Sequence, residues 1–126
     1  MIFFDIKNII DGFAKMCENS DIKDIKVSVN HPNTPALAYV QYDREGKKYI
    51  IFDLNRAGLC GTPNLFDTIY SYKTFKDFDV FIGSKEWRHL SCYIIHGKDV
   101  MPIKNINLII TTDRSKKSVA DIIISA

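Results

Sequence analysis

The sequence has few residues that interrupt or cross-link a chain: four prolines, six glycines and three cysteines among 126 residues. The prolines and glycines lie between apolar segments, which is not typical of a disordered or low-complexity chain. An odd number of cysteines (Cys17, Cys60 and Cys92) without framework spacing favours free thiols in a reducing compartment. No apolar run approaches the roughly 18 residues of a membrane span, and residues 1–7 lack the features of a signal peptide. We therefore expect a cytoplasmic protein with no membrane partner.

The sequence also lacks an excess of one charge. Its 17 basic and 15 acidic residues give a net charge of +2, whereas a dedicated nucleic-acid binder usually has a clear basic excess or stripe. The densest basic segments, 47–48 and 114–117, are typical of solvated hairpin turns. Nucleic acid is therefore not an expected partner, and the length and hydrophobic content predict a single domain over residues 1–126.

The clearest helical pattern covers residues 5–18. Apolar side chains repeat at steps of three and four residues, as in an amphipathic helix: Ile6, Ile9, Ile10, Phe13, Met16 and Cys17. We expect Asp5 to cap the start, and Phe4 and Ile9 to form a hydrophobic staple. Gly12 weakens the middle by about 1 kcal/mol relative to alanine.

Strand patterns dominate the rest of the chain. Segments 36–42 and 47–54 predict a hairpin around a type I turn, with Asp43 first and Gly46 last. Further strands are predicted at 24–30, 78–82, 90–95, 105–111 and 119–125, and a short helix at 63–72. Because no parallel βαβ series is visible, we expect an α+β fold. Its mainly antiparallel sheet of about six to seven strands would carry the N-terminal helix and the short middle helix.

No catalytic or cofactor motif is visible in the sequence. It contains no phosphate-binding loop, dinucleotide turn or nucleophile elbow, and we expect no enzyme activity and no cofactor. His89, Cys92 and His96 would share one face of a helix, but residues 91–95 favour a strand. On a strand Cys92 and His96 lie about 13 Å apart, too far for one zinc ion. The expectation is therefore no metal site.

Cys60 carries an alternative hypothesis, that of a small cysteine-dependent enzyme. It lies between Gly58 and Gly61, just before the predicted helix, and a cysteine near a helix N-terminus can have a lowered pKa. His31 or His96 would be the candidate base. The simpler interpretation is that the glycines permit a tight turn and Cys60 fills a small apolar space.

Aromatic side chains make up 12% of the residues and are concentrated between positions 70 and 93. Most are expected in the core. Trp87 and Arg88 are the predicted exceptions, because the neighbouring Lys85 and Glu86 place the segment near solvent. Tryptophan, tyrosine and arginine most often contribute interface energy, so Glu86, Trp87, Arg88 and His89 are the candidate partner-binding residues.

The chain resembles the small immunity proteins of bacterial toxin systems, including those of contact-dependent growth inhibition. The resemblance lies in size, a cytoplasmic composition, the missing catalytic motif and an α+β domain with polar and aromatic loops, and it assigns no residue a role. It implies an inhibitor that forms a tight complex with a cognate toxin domain. Inhibitors of nucleases tend to be acidic, so a net charge of +2 implies a local acidic patch or another kind of toxin. A ligand-binding or oligomeric scaffold, in which the sheet packs on a second copy, is the remaining alternative.

Overall fold

The computed structural model describes residues 1–55 and 66–126, which contain two helices and eight strands. In chain order the elements are α1 (Phe3–Asn19), β1 (Asp24–Val29), β2 (Ala36–Tyr42), β3 (Lys48–Asp53), β4 (Phe66–Ile69), α2 (Tyr72–Gly83), β5 (Cys92–His96), β6 (Asp99–Pro102), β7 (Asn105–Thr112) and β8 (Ser118–Ser125). The predicted α+β class is confirmed. No helix in the described ranges is long and apolar enough to cross a membrane.

The strands form two mixed sheets that are mostly antiparallel. One has five strands in the order β4-β2-β3-β5-β6, and the other has three in the order β1-β8-β7. Two pairs are parallel, β3 with β5 and β1 with β8. These pairs join segments that are distant in the sequence, so the local pattern did not reveal them. Strands β4 and β6, each of four residues, were missed because they are too short to show an alternation.

Helix α1 packs on the three-stranded sheet through β7 and β8. Its buried side chains are Phe3, Ile6, Ile10, Ala14 and Cys17. The predicted cap and staple are wrong, because the helix begins two residues earlier than expected. Ile2 occupies the cap position without a side-chain hydrogen bond, Asp5 lies in the first turn, and Phe4 and Ile9 are both exposed.

The position of helix α2 shows that the prediction for the middle of the chain was wrong in two places. The segment 78–82, predicted as a strand, lies in this helix, and residues 66–69 of the predicted helix form β4 instead. Ser71 and Thr74 form a reciprocal capping box at the start of α2, which provides acceptors for amides that have no partner within the helix. Phe75, Phe78 and Ile82 recur at helical spacing and are fully buried. The aromatic residues favour strands locally, but here tertiary burial determines the structure.

The core lies between the two helices and the inner faces of both sheets. The Phe3 ring stacks on Phe75 at 5.4 Å between centroids and meets Phe78 edge-on at 5.7 Å. The segment before α1 is fixed to the five-stranded sheet, where Ile2 bridges Ser91. The aromatic cluster therefore joins the two helices, and the bridge at Ile2 joins the start of α1 to the larger sheet.

The two predicted hairpins are confirmed and have the same turn geometry. In β2–β3 the amide of Gly46 donates to the Asp43 carbonyl, and in β7–β8 the amide of Lys116 donates to the Asp113 carbonyl. Each aspartate carboxylate also accepts backbone N–H groups within its turn. The fourth turn residue has a positive φ in both, +80° at Gly46 and +62° at Lys116.

This equivalence predicts that Lys116→Gly stabilises the protein. A residue with a Cβ is strained in the left-handed region, while glycine is not. After allowing for the greater freedom of glycine in the unfolded chain, we expect the free energy of unfolding to rise by about 0.5–1 kcal/mol. Urea denaturation measures this change. Gly46→Lys is the matched control and should destabilise the protein, and an unchanged midpoint for both variants would contradict the prediction.

Candidate functional site

A shallow cleft of about 330 Å³ lies on the face of the five-stranded sheet that points away from the helices. We call it the tyrosine cleft, and its lining residues are Gln41, Tyr42, Asp43, Tyr49, Ile51, Tyr93, Ile95 and Val100. The alternation of each strand accounts for most of this set. Val40, Ile50 and Cys92 belong to the core, so their neighbours Gln41 and Tyr49 point to the opposite face.

Strand pairing brings the side chains of the cleft together. Gln41 is opposite Tyr49 across β2 and β3, and Ile51 is opposite Tyr93 across β3 and β5. The Tyr49 and Tyr93 rings meet edge-on with centroids 5.7 Å apart, a favourable geometry for aromatic pairs. The rings are therefore held in place before any partner binds.

Two lysine ammonium groups lie over the aromatic rings at the hairpin end of the cleft. Lys47 Nζ is 5.5 Å from the centroid of Tyr49. Lys48 Nζ lies 5.5 Å from Tyr42 and 5.1 Å from Trp87, within the range of cation–π interactions. Lys48 thus links Tyr42, which lines the cleft, to the Trp87 ring.

Asp43 is the one carboxylate among the lining residues, and its environment favours the charged form. The backbone N–H of Lys47 has the largest effect, and the N–H of Glu45 and the Tyr49 hydroxyl add to it, so the pKa of Asp43 lies below its usual value. The side chain is therefore ionised at neutral pH. With Lys47 and Lys48 beside it, the surface carries mixed charge at its rim and aromatic groups at its centre.

Asp53, the last residue of β3, lies on the same sheet face next to the cleft. It is buried, and it pairs in register with the cleft residue Ile95. The Tyr39 hydroxyl and the Asn55 amide donate to its carboxylate at 2.7 and 2.9 Å. Hydrogen bonds to a buried carboxylate offset its lost hydration. These contacts therefore hold the Asp53 side chain in one position on the sheet face beside the cleft.

The sequence-predicted binding residues lie just after α2, in the loop before β5. Glu86 and His89 are exposed, whereas Trp87 and Arg88 are half-buried. Trp87 packs against the core and meets Phe81 edge-on at 6.5 Å. This ring therefore stabilises the loop as well as contributing surface.

Arg88 forms a bidentate ion pair with Asp79 of α2. Its Nε and Nη2 donate to the two carboxylate oxygens at 2.8 and 3.0 Å. The guanidinium crosses the end of α2 directly above Gly83, where a Cβ would come within 2.6 Å of it. A second depression of about 440 Å³ beside it is lined by Ile2, Phe4, Gly83, Glu86, Arg88 and His89. The bound guanidinium shapes this depression.

The described cysteines are unsuited to nucleophilic chemistry. Cys17 and Cys92 are fully or almost fully buried, and burial raises the pKa of each thiol above its usual value. Cys92 and the exposed His96 both lie on β5, as the strand interpretation requires. Among residues 1–55 and 66–126, no group of three metal-ligating side chains comes together. Cys60 lies outside the described residues, and its reactivity stays a prediction.

Sequence reasoning located the Trp87 loop but missed the tyrosine cleft. The signal was present as the alternation of Tyr49 and Ile51 with core residues on β3, and of Tyr93 and Ile95 on β5. Both strands are apolar on both faces, so the sequence alone did not show which face stays open. No protein-family model matches the chain, and no curated sequence or solved structure matches it significantly.

Proposed function

We propose that the protein acts by binding another protein, as an inhibitor of the immunity type that neutralises a cognate toxin domain. The observation that carries the proposal is the tyrosine cleft, lined by Tyr42, Tyr49 and Tyr93 and linked to Trp87 through Lys48. Aromatic side chains of this kind provide much of the binding energy at protein interfaces. Because these rings already contact each other or a lysine, binding costs less conformational entropy than ordering free side chains.

The chemistry of the surface indicates the kind of partner. Its centre is apolar and aromatic, while the adjacent hairpin turn carries both signs of charge at Asp43, Arg44, Glu45, Lys47 and Lys48. Such a rim complements a partner with mixed charge, not the strongly basic groove of a nuclease. The proposed partner is therefore a toxin domain that presents an apolar projection or ridge to the cleft. Glu86 and His89 lie at the edge of this interface.

The proposal predicts that a toxin is encoded beside the gene for this chain, and that toxin is the partner used in the test. We expect co-expression to restore growth of toxin-producing cells, and titration calorimetry to show a one-to-one complex. Tyr42→Ser and Tyr93→Ser should each weaken binding by at least tenfold, since removing an interface hot spot costs about 2 kcal/mol or more.

Tyr70→Ser is the matched control, because Tyr70 is 57% exposed and Tyr42 is 51% exposed. Tyr70 follows β4 and does not line the cleft. Melting curves establish that each variant is folded. The proposal fails if the toxin neither binds nor is neutralised, and the assignment of the surface fails if all three variants bind alike.

A further inference from the structure

Strand β7 forms an edge of the three-stranded sheet, and no described strand pairs with its outer side. It is eight residues long and pairs with β8 over its whole length, from Asn105 to Thr112, in unbroken register. The sequence of the strand, Asn-Ile-Asn-Leu-Ile-Ile-Thr-Thr, has no charged residue and no proline. Natural proteins usually protect such an edge with lysine, proline, a bulge or a short strand.

The other described edge strands, β1, β4 and β6, show that protection, and β4 has only four residues. Outside β1, the amide of Val27 donates to the Tyr70 carbonyl, and Lys26 bridges Ser71. At the edge of the larger sheet, β6 has only four residues and includes Asp99 and Pro102. The open edge of β7 therefore differs from these edges in length and in composition.

The hairpin fixes which backbone groups of β7 point outward. The Asp113 amide donates to the Lys117 carbonyl, so odd-numbered residues of β7 form the hydrogen-bonded pairs with β8. The N–H and C=O groups of Ile106, Leu108 and Ile110 consequently point to the open side. These are the groups that a further strand would engage.

A stripe of exposed apolar side chains on α1 borders this edge. Asp11 accepts a hydrogen bond from Tyr72, so its side of α1 faces α2. Ile9 and Met16 lie roughly 150° around the helix from Asp11, at about 100° per residue, on the side toward β7. Met16 is 60% exposed, and Ile110 on β7 is 51% exposed. The helix stripe from Ile9 to Met16 and the strand together form one strip without charge, and the exposed Asp5 lies at its N-terminal end.

Gly12 lies on the same stripe of α1. A Cβ at this position would meet nothing within 4 Å, so packing among the described residues does not require glycine there. Glycine inside a helix is less favourable than alanine. A glycine on an exposed apolar stripe is explained if another helix approaches closely at that point.

We infer that the strip formed by α1 and β7 binds a second copy of this chain, with the two β7 strands paired antiparallel. An antiparallel edge is self-complementary about a twofold axis, and an uncharged edge meets no repulsion from its own copy. Placing Leu108 on the axis pairs Ile106 with Ile110 of the second copy and uses the outward backbone groups. The result is one continuous six-stranded sheet.

The helices then meet on one face of that sheet. Strands lie about 4.8 Å apart, and α1 contacts both β7 and β8, so its axis lies about 5 Å from the twofold axis. Two copies bring the helices to about 10 Å, the usual separation of packed helices. Ile9, Gly12 and Met16 would form the helix contact.

Sedimentation equilibrium of the full chain, from low micromolar concentration upward over two decades, tests the association. We expect a monomer–dimer equilibrium. Ile110→Lys should weaken it by at least tenfold, because it places two charges at the paired edge. Val80→Lys is the matched control, since Val80 is 66% exposed on α2, and it should dimerise as the unmodified chain does. A monomer at every concentration, or equal association of both variants, overturns the inference.

Amide hydrogen exchange by NMR distinguishes strand pairing from other dimers. The amides of Ile106, Leu108 and Ile110 should gain protection as concentration rises, while those of Asn107 and Ile109 are protected throughout by β8. If a dimer forms while the amides of the even-numbered residues stay unprotected, the inference is overturned, because the dimer contact then lies on another surface. Gly12→Ala should raise the melting temperature of the monomer and weaken the dimer, and an unweakened dimer counts against the helix contact.

Discussion

Phe3→Ala is expected to lower the free energy of unfolding by about 3–5 kcal/mol, the usual range for removing a buried aromatic side chain. Phe3 has no exposed surface, and its ring contacts Phe75 and Phe78 of α2. Its amide donates to the Leu90 carbonyl, so the backbone is fixed and the cavity will not collapse easily. Since domains are typically stable by about 5–15 kcal/mol, this change brings the protein close to unfolding.

Phe4→Ala provides the matched control, because Phe4 is the next residue and is 48% exposed. We expect it to cost less than about 1 kcal/mol, as do most substitutions of partly exposed residues. Guanidinium denaturation followed by circular dichroism measures both variants. Similar losses for Phe3 and Phe4 would contradict the placement of the Phe3 ring between the helices.

The second large effect is expected at Asp121, in the central strand of the three-stranded sheet. Its buried carboxylate accepts a hydrogen bond from the Ser28 hydroxyl at 2.7 Å and another from the backbone N–H of Asn33 at 2.9 Å. Asp121→Ala leaves the buried Ser28 hydroxyl without this acceptor, which costs about 1–3 kcal/mol, whereas water can replace the carboxylate at the exposed Asn33. We expect a loss of about 1–3 kcal/mol, measured by urea denaturation.

A graded series separates the hydrogen bonds from the charge. Asp121→Asn can still accept from the Asn33 amide and can donate to Ser28, so it should cost about 1 kcal/mol. Asp24→Ala, at an exposed position of β1, should have little effect. Combining Ser28→Ala with Asp121→Ala should cost less than the sum of the two, because they remove the same contact. Full additivity would exclude the bond as the cause.

The local patterns of the sequence predicted most elements but not their arrangement. Helix α1 and both hairpins followed from apolar spacing and turn residues, since these features depend on neighbours in the chain. Segment 78–82 was mispredicted because its aromatic residues favour strands, whereas the Ser71 capping box and burial against Phe3 make it helical. The split into two sheets depends on the parallel β1–β8 and β3–β5 pairs, which no local pattern encodes.

The candidate surface was predictable only in part, for a related reason. Trp87 was identified from the charges beside it in the sequence. Tyr49 and Tyr93 come from strands far apart in the chain and meet through the parallel pairing of β3 with β5. The contacts of Lys48 with Tyr42 and Trp87 likewise arise only in the folded protein. The sequence shows the type of each side chain, but it does not show which side chains become its neighbours in the folded protein.

The parallel pairing of β1 with β8 has a consequence for how the chain folds. Asp24 is in register with Val119, so the two paired residues lie 119 − 24 = 95 positions apart in a sequence of 126 residues. Bringing such distant segments together costs loop-closure entropy before their contacts can stabilise the structure, and this slows folding. During synthesis β1 cannot pair with β8 until residues 118–125 have left the ribosome. We therefore expect the β2–β3 hairpin to form early and the three-stranded sheet to close in the final, rate-limiting step.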